Sequence, residues 1–260
     1  MLKYSIVLLP TVFTWYILSC LDKLMLTHFI GSEANGIYAI SYKLPTILLT
    51  ITQIFTNAWI YSAIAEKDSK DKSEYANNVF SKIFAITIIM GMFLIFVTKP
   101  FLNIYISQEF YEAWKYTPFL ILSMIFLTYS SFLSTYYNVH LNGKGLLKSE
   151  LFCVLINVVL NFILIPTIGI YGAGIASCTC YFLTFIYKIF DTKKYIKLKI
   201  RKEYIYSFIL LILALITIFI KSNMCYLLLF IEFLLSLIIL KDLWLPLINL
   251  ILIKIKSIKK

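Results

Sequence analysis

The feature that most constrains this chain is a series of long apolar segments separated by short polar loops. We distinguish eight segments, at residues 4–21, 36–60, 79–98, 116–138, 149–166, 171–190, 205–220 and 224–240. Uninterrupted apolar runs of about 18 residues or more are typical of transmembrane helices. The composition agrees, because 61% of the residues are hydrophobic and 14% are charged, which is far from the balance of a soluble domain. We therefore predict an all-α, polytopic membrane bundle of about eight transmembrane helices.

The distribution of basic residues predicts the orientation of this bundle. Most of the 24 lysines and arginines fall in alternate loops, above all in residues 66–78, in residues 191–204 and near the C-terminus. Basic loops remain in the cytoplasm during insertion, so both termini are predicted to be cytoplasmic. The net charge of +11 is then explained by topology and by contact with anionic membrane lipids, and no nucleic-acid partner is expected.

The second segment carries a row of polar residues along one side. The row consists of Lys43, Thr46, Thr50, Gln53 and Asn57, at spacings of 3, 4, 3 and 4. Such spacings place all of them on one side of a helix, and polar groups in a bilayer must face other helices or a water-filled cavity. Two interpretations remain open, since the row can pack against neighbouring helices, with the lysine reaching to the interface, or it can line a cavity.

Two further segments suggest contacts between helices. Cys153, Asn157 and Asn161 recur at helical spacing in the fifth segment. Buried asparagines either bond between helices or bind a ligand, and both interpretations stay open. Gly172 and Ala176, four residues apart in the sixth segment, predict close packing of this helix on a neighbour. In the second segment, Pro45 predicts a kink or a break.

Three ionisable residues fall in or beside apolar segments. Asp22 and Lys23 follow the first segment, where they are expected to pair at the outer interface or, alternatively, to border a cavity. Glu232 lies in the middle of the last segment. A carboxyl group at this depth is either a neutral acid bonded to another helix or a group that couples proton movement to transport.

Signatures of catalysis and of cofactor binding are absent from the sequence. There is no GxxxxGK[ST], GxGxxG or HExxH motif, and the five cysteines lack metal-ligand spacing. We therefore expect no catalytic residues, no cofactor and no metal site. A membrane-embedded glycosyltransferase remains an alternative, and it would depend on acidic residues such as Glu109 and Glu112 in the longest outer loop.

Three stretches of the chain resemble a known family. They are LDKLMLTHFIGSEANGIYAISYKLPTILLTITQIFTNAW at 21–59, EFYEAWKYTPFLILS at 109–123 and NVVLNFILIPTIGIYGAGIAS at 157–177. Together they are similar to the second lobe of bacterial oligosaccharide flippases, in the polysaccharide-biosynthesis branch of the multidrug/oligosaccharidyl-lipid/polysaccharide exporter superfamily. The resemblance covers most of residues 1–190.

The resemblance implies a fold and a domain organisation. Such proteins have two six-helix lobes that form a V around a central cavity. Residues 1–190 would be one such lobe, 191–204 a basic cytoplasmic loop, and 205–260 two additional transmembrane helices with a basic tail. The first lobe would be missing, so the implied partners are a first-lobe polypeptide or a second copy of this chain.

The resemblance also implies an activity. The chain would move undecaprenyl-pyrophosphate-linked oligosaccharide across the bacterial cytoplasmic (inner) membrane by alternating access, without ATP, for surface polysaccharides such as the O-antigen of lipopolysaccharide. Lys43 would contact the pyrophosphate. Related cavities often carry arginines for this role, whereas the single arginine of this chain, Arg201, lies in a loop. The implied cavity residues are Lys43, Thr46, Thr50, Gln53, Asn57, Asn157 and Asn161, with Glu232 as the coupling group. A cation-coupled multidrug exporter and an inactive remnant are the remaining alternatives.

Overall fold

The computed structural model describes residues 2–222 and 224–246, and within these ranges the regular secondary structure is helical throughout. The α-helices are α1 (Leu2–Phe29), α2 (Ser32–Ser41), α3 (Lys43–Ala65), α4 (Lys72–Tyr105), α5 (Thr117–Val139), α6 (Gly143–Ile168), α7 (Ile170–Asp191), α8 (Lys202–Thr217) and α9 (Met224–Ile239). Short 3₁₀ helices span Gln108–Lys115 and Thr192–Lys194. The predicted all-α class is confirmed. The predicted basic tail, at residues 247–260, lies outside the described residues.

Five helices in the described part of the chain are long and apolar enough to cross a membrane. They are Lys43–Ala65, Lys72–Tyr105, Thr117–Val139, Gly143–Ile168 and Ile170–Lys194. The chain is thus a multi-pass membrane protein, as predicted. Helices α8 and α9 have 16 residues each, or about 24 Å, which is less than the ~30 Å of a hydrocarbon core. The total of eight crossings and the cytoplasmic location of the termini stay predictions.

The second apolar segment is divided into two helices by Pro45. Helix α2 ends at Ser41 and α3 begins at Lys43. Proline has no N–H to donate to the carbonyl group four residues earlier, which here belongs to Ser41, so the helical hydrogen bonds are interrupted as predicted. The Ser41 hydroxyl group donates to the carbonyl oxygens of Ile37 at 2.9 Å and Ala113 at 3.1 Å. These bonds attach the bend to the 3₁₀ helix that precedes α5.

Helix α5 lies at the centre of the bundle and packs against α3, α4 and α7. Its aromatic side chains Tyr129 and Phe132 are fully buried, and Tyr129 forms a 2.9 Å hydrogen bond with Thr87 of α4. Helix α6 packs between α1 and α7, whereas α8 and α9 form a pair that packs on α4. Residues 2–191 therefore form one bundle, and the last two helices extend it on the side of α4.

Helices α6 and α7 approach each other closely at Gly172. A Cβ atom at this position would overlap the backbone carbonyl group of Leu164 on α6. Ala173 and Ala176, which follow on the same helix, are fully buried. The close packing predicted from the small residues of this segment is confirmed, and it brings the polar sides of α6 and α7 within hydrogen-bonding distance.

Helix α4 is much longer than a membrane crossing requires. It has 34 residues, which corresponds to about 51 Å. Near its N-terminus, Asn77 clamps the basic segment that follows α7. The Asn77 side chain donates to the carbonyl oxygen of Lys197 at 2.9 Å and accepts from the backbone N–H of Lys199 at 2.7 Å. The basic loop is thus attached to the end of a rigid helix.

Candidate functional site: two clefts beside α3

The polar row of α3 lies on the surface of the bundle. Lys43, Thr46, Thr50, Gln53 and Asn57 are all exposed. The buried row of the same helix is Leu44, Leu48, Thr52, Trp59 and Ala63. At about 100° per residue the two rows are on opposite sides of the helix. The polar row is therefore turned away from the core of its own bundle.

The row is bordered by a cleft between α3, α5, α6 and α7, which we call cleft A. Cleft A has a volume of about 270 Å³. Most of its lining consists of hydroxyl, amide and charged side chains. The lining residues are Leu49, Thr52, Gln53, Thr56, Asn57, Leu127, Thr128, Ser130, Ser131, Ser134, Leu146, Glu150, Cys153, Tyr181, Thr184 and Lys188. Two members of the predicted row, Gln53 and Asn57, thus contribute directly to a polar hollow.

A second hollow, cleft B, lies beside the first half of α3. It has a volume of about 210 Å³ and is lined by Leu18, Lys23, Tyr42, Thr46, Leu49, Met124, Leu127 and Tyr181. Three residues, Leu49, Leu127 and Tyr181, line both clefts. The clefts are therefore neighbours along α3 that share part of their lining. In the predicted orientation cleft B is nearer the outer side and cleft A nearer the cytoplasm.

The polar row contributes unequally to these clefts. Thr46 lines cleft B, but its hydroxyl group donates to the Tyr42 carbonyl oxygen at 2.8 Å, and Thr50 donates to Thr46 in the same way. A threonine bonded to its own helix needs no other polar partner. Lys43 and Thr50 are exposed on the row without lining either cleft.

The most deeply buried charge in the described bundle belongs to Lys188 of α7, at the wall of cleft A. Its ammonium group donates to Glu150 Oε1 at 2.8 Å and to Ser134 Oγ at 2.7 Å. The Lys188 side chain is 2% exposed, whereas that of Glu150 is 24% exposed. A buried ammonium group is tolerated in a low-dielectric interior only with such partners.

Helical spacing in the sequence could have indicated that Glu150 and Lys188 lie on the polar sides of their helices. Glu150 stands three residues before Cys153 and so extends the polar row of the fifth segment. Lys188 follows Ser177 and Thr184 on one side of the sixth segment. Lys188 lies inside α7 and forms a buried ion pair with Glu150.

Asp22 of α1 lies where α6 and α7 pack together, at the opposite end of these helices from Lys188. This carboxyl group is buried and accepts hydrogen bonds from Tyr38 Oη at 2.9 Å, Asn161 Nδ2 at 2.6 Å and Ser177 Oγ at 2.6 Å. The expected pairing of Asp22 with Lys23 is therefore wrong, because neutral donors from α2, α6 and α7 satisfy the carboxyl group. The alternative expectation holds for Lys23, which is exposed and lines cleft B.

The two asparagines of α6 belong to this buried cluster. Asn161 also donates to Asn157 Oδ1 at 3.0 Å, and Asn157 approaches Cys180 Sγ at 3.8 Å. Neither asparagine lines cleft A or cleft B. The structure thus shows Asn157 and Asn161 in bonds between helices, which was one of the two interpretations of their spacing. A substrate contact by either residue stays a prediction.

Glu232 is separate from both clefts. It lies on α9 and accepts a hydrogen bond from Thr217 of α8 at 2.8 Å. Its second carboxyl oxygen is buried with no hydrogen-bond partner. Glu232 is thus bonded to another helix, which was one of the two interpretations of its position in the sequence. A role in coupling stays a prediction.

The acidic residues between α4 and α5 do not line cleft A or cleft B. Glu112 forms a 2.6 Å ion pair with Lys115, and this hydrogen bond raises the pKa of the lysine. Glu109 is exposed one turn earlier. Among the residues that the structure describes, no group of three or more histidine, cysteine, aspartate or glutamate side chains is placed to hold a metal ion.

Comparison with known sequences supports the resemblance found in the sequence. Residues 1–110 match the family described as "Polysaccharide biosynthesis protein". An uncharacterized membrane protein of Methanocaldococcus jannaschii is 26% identical over 187 residues, which cover 68% of this chain and 36% of that protein. The resemblance to polysaccharide biosynthesis proteins is thereby confirmed.

Two solved structures share the fold. One is a multidrug resistance MATE family transporter of the MOP superfamily in an outward-facing conformation, with a TM-score of 0.59 and 16% identity. The other is a MOP superfamily transporter from Pyrococcus furiosus, with a TM-score of 0.60 and 16% identity. Each match covers 84% of this chain and 52% of the solved chain. The chain therefore spans about half the length of these transporters.

Proposed function

We propose that this multi-pass membrane protein, similar to polysaccharide biosynthesis proteins, is a flippase for lipid-linked oligosaccharide. In this proposal it moves an undecaprenyl-pyrophosphate-linked oligosaccharide from the inner to the outer leaflet of a bacterial cytoplasmic membrane. Transport proceeds by alternating access and needs neither ATP nor a catalytic residue of the chain. The product would supply a surface polysaccharide such as an O-antigen.

The observation that carries the proposal is the pair of adjoining clefts beside the polar row of α3. Hydroxyl and amide groups such as those of Gln53, Asn57 and Ser131 are suited to hydrogen bonds with sugar hydroxyl groups. Lys23, which lines cleft B, and Lys43, which is exposed on the polar row, supply positive charge for a pyrophosphate. In this proposal the two neighbouring clefts along α3 are part of the route that the head group follows.

A route for the lipid chain is compatible with the same helices. Helix α3 exposes Ile47, Ile51 and Ile54, and α6 exposes Leu155 and Phe162. These apolar rows are suited to acyl or prenyl chains, while Gln53 and Asn57 of α3 and Glu150 of α6 line cleft A. An amphiphilic substrate with a sugar head and a prenyl tail matches this division.

A cation-coupled multidrug exporter is the second candidate, because one of the solved structures that share the fold is a multidrug transporter. Cationic drugs would require a carboxylate that is available in a cleft. The one acid among the residues lining clefts A and B is Glu150, and it is paired with Lys188. The charges of the clefts therefore favour an anionic substrate.

We further propose that transport requires a second lobe. The polar row of α3 faces away from its own bundle, where a second lobe would complete a cavity. The partner is either a first-lobe polypeptide or a second copy of this chain.

Complementation of a flippase-null bacterial strain tests the function. The full chain, expressed with its neighbouring first-lobe gene where one exists, is expected to restore surface glycan. Lys43→Ala is expected to reduce the glycan at least several-fold, because an exposed ammonium group on the polar row would be lost. Lys221→Ala, an exposed lysine between α8 and α9, serves as the matched control. Absence of surface glycan with the wild-type chain correctly inserted would refute the flippase proposal, and full activity of Lys43→Ala would remove the role of that lysine.

A further inference from the structure

We propose that Glu150 is an internal counter-ion for Lys188, and that a phosphate group enters cleft A by displacing it. The inference rests on the proposed function for the origin of the ligand, but it concerns two residues that the sequence resemblance does not assign. The bound state would replace a Glu150–Lys188 ion pair by a phosphate–Lys188 ion pair.

The unequal burial of the two partners supports such an exchange. Lys188 is almost completely enclosed, so its ammonium group cannot turn into water. Glu150 is about a quarter exposed at the wall of cleft A, so its carboxylate can rotate toward solvent. Removing one partner from a buried ion pair strands the other charge, which is costly unless another ion takes the vacated place. Departure of Glu150 is therefore favoured only when an anion arrives.

The surroundings of Lys188 provide further contacts for a phosphate group. An ammonium group has three N–H donors, and the contacts of Lys188 with Glu150 and Ser134 account for two of them. The hydroxyl groups of Ser130 and Ser131 line the same cleft and can donate to phosphate oxygens. Charge-assisted bonds of this kind are stronger than those between neutral groups.

The exchange also explains how a site with a buried lysine can release the phosphate that it binds. A permanently free ammonium group would hold a phosphate too firmly for transport. A competing carboxylate attached to the same wall lowers the net gain on binding and restores the ion pair when the ligand leaves. The ion pair thus keeps the affinity for the anion low enough for release, as transport requires.

Calorimetric titration of the purified full-length chain in detergent tests this exchange. The probes are inorganic pyrophosphate and farnesyl pyrophosphate, a short prenyl pyrophosphate. Lys188→Gln is expected to weaken pyrophosphate binding at least tenfold, since a charge-assisted bond is lost. Glu150→Gln is expected to strengthen binding about tenfold, since the amide does not compete for the ammonium group. Lys115→Gln, which disrupts the exposed pair with Glu112, is the matched control and should leave the affinity unchanged.

Folding of the variants is checked by their melting temperatures and by the double variant Lys188→Gln/Glu150→Gln. The double variant has no stranded charge, and it should be stable yet bind as weakly as Lys188→Gln. Unchanged affinity in a folded Lys188→Gln variant, or weaker binding by Glu150→Gln, would overturn the exchange. Tighter binding of the prenyl probe than of inorganic pyrophosphate supports a lipid head group as the source, whereas equal binding supports a soluble phosphate.

These results separate the exchange from the flippase proposal. If the wild-type chain fails to complement the flippase-null strain but shows the expected affinity pattern, the flippase proposal fails and the exchange stands. If it complements and its affinities do not depend on Lys188 or Glu150, the exchange alone fails.

Discussion

Asp22 connects four helices at a single carboxyl group. It lies on α1, and its three hydrogen-bond donors come from α2, α6 and α7. Interhelical hydrogen bonds in membrane proteins contribute about 0.6 kcal/mol each on average. A single acceptor shared by three buried donors has a larger effect, because its loss removes one hydrogen bond from each of the three donors at once.

Replacement of Asp22 by alanine is expected to destabilise the bundle. We expect Asp22→Ala to lower the free energy of unfolding by about 2 kcal/mol or more, since three buried donors lose their acceptor. The measurement is unfolding in mixed micelles titrated with sodium dodecyl sulfate. Glu109→Ala removes an exposed carboxylate and should change the free energy of unfolding by less than about 0.5 kcal/mol. Equal effects of the two substitutions would show that Asp22 does not hold the helices together.

At the scale of helices, periodicity carried much of the information that the structure contains. The grouping of the polar residues on one side of α3 and the break at Pro45 follow from spacing and from proline chemistry, and both were predicted. The exposure of this row on the surface of the bundle was not predicted. The close contact at Gly172 was predicted in the same way. Helical spacing records which residues share one side of a helix, and it does so without knowledge of the neighbours.

Contacts that join distant helices could not be predicted. Asp22 and Lys23 are adjacent in the sequence, and pairing was a reasonable expectation, but the donors to Asp22 come from as far away as Ser177. Glu150 and Lys188 are 38 residues apart, so their pairing depends on the antiparallel packing of α6 and α7. Cleft A requires α3, α5, α6 and α7 together, and cleft B requires α1, α3, α5 and α7. The sequence of one helix does not specify which other helix it packs against.

The contact between α6 and α7 gives a prediction at the same scale. We expect Gly172→Ala to lower the free energy of unfolding by about 1–3 kcal/mol, because the new methyl group would overlap the Leu164 backbone and force the helices apart. Gly174→Ala is the matched control. Its Cβ atom would lie 3.4 Å from Phe119 Cβ, an ordinary contact, so stability should be unchanged or slightly higher. Thermal unfolding of the two purified variants provides the comparison, and a more stable Gly172→Ala would contradict the close packing.

At the scale of the whole molecule, the surface that remains to be explained is the polar side of α3. Its exposed row would be unusual on a surface that faces only lipid, because Lys43, Gln53 and Asn57 prefer polar surroundings. The second lobe that we propose would cover this side of α3.

Disulfide crosslinking in native membranes tests this arrangement. Gln53→Cys in a Cys20→Ser background, which removes the exposed native cysteine, is expected to form a crosslinked product across the polar row of α3. A product of twice the chain mass identifies a second copy, and a different mass identifies a first-lobe polypeptide. Ile209→Cys, an exposed position on α8, is the control and should remain monomeric. Only monomer with Gln53→Cys would contradict both forms of the second lobe.

The length of α4 has a mechanical consequence for the basic loop attached near its N-terminus. Because the Asn77 side chain on α4 is hydrogen-bonded to the backbone of Lys197 and Lys199, the basic loop moves together with the bundle. Any rocking of the bundle in the bilayer must lift or lower those positive charges relative to the lipid phosphates. Electrostatic attraction to an anionic leaflet then acts as a restoring force on the tilt, and the lipid composition of that leaflet sets its stiffness.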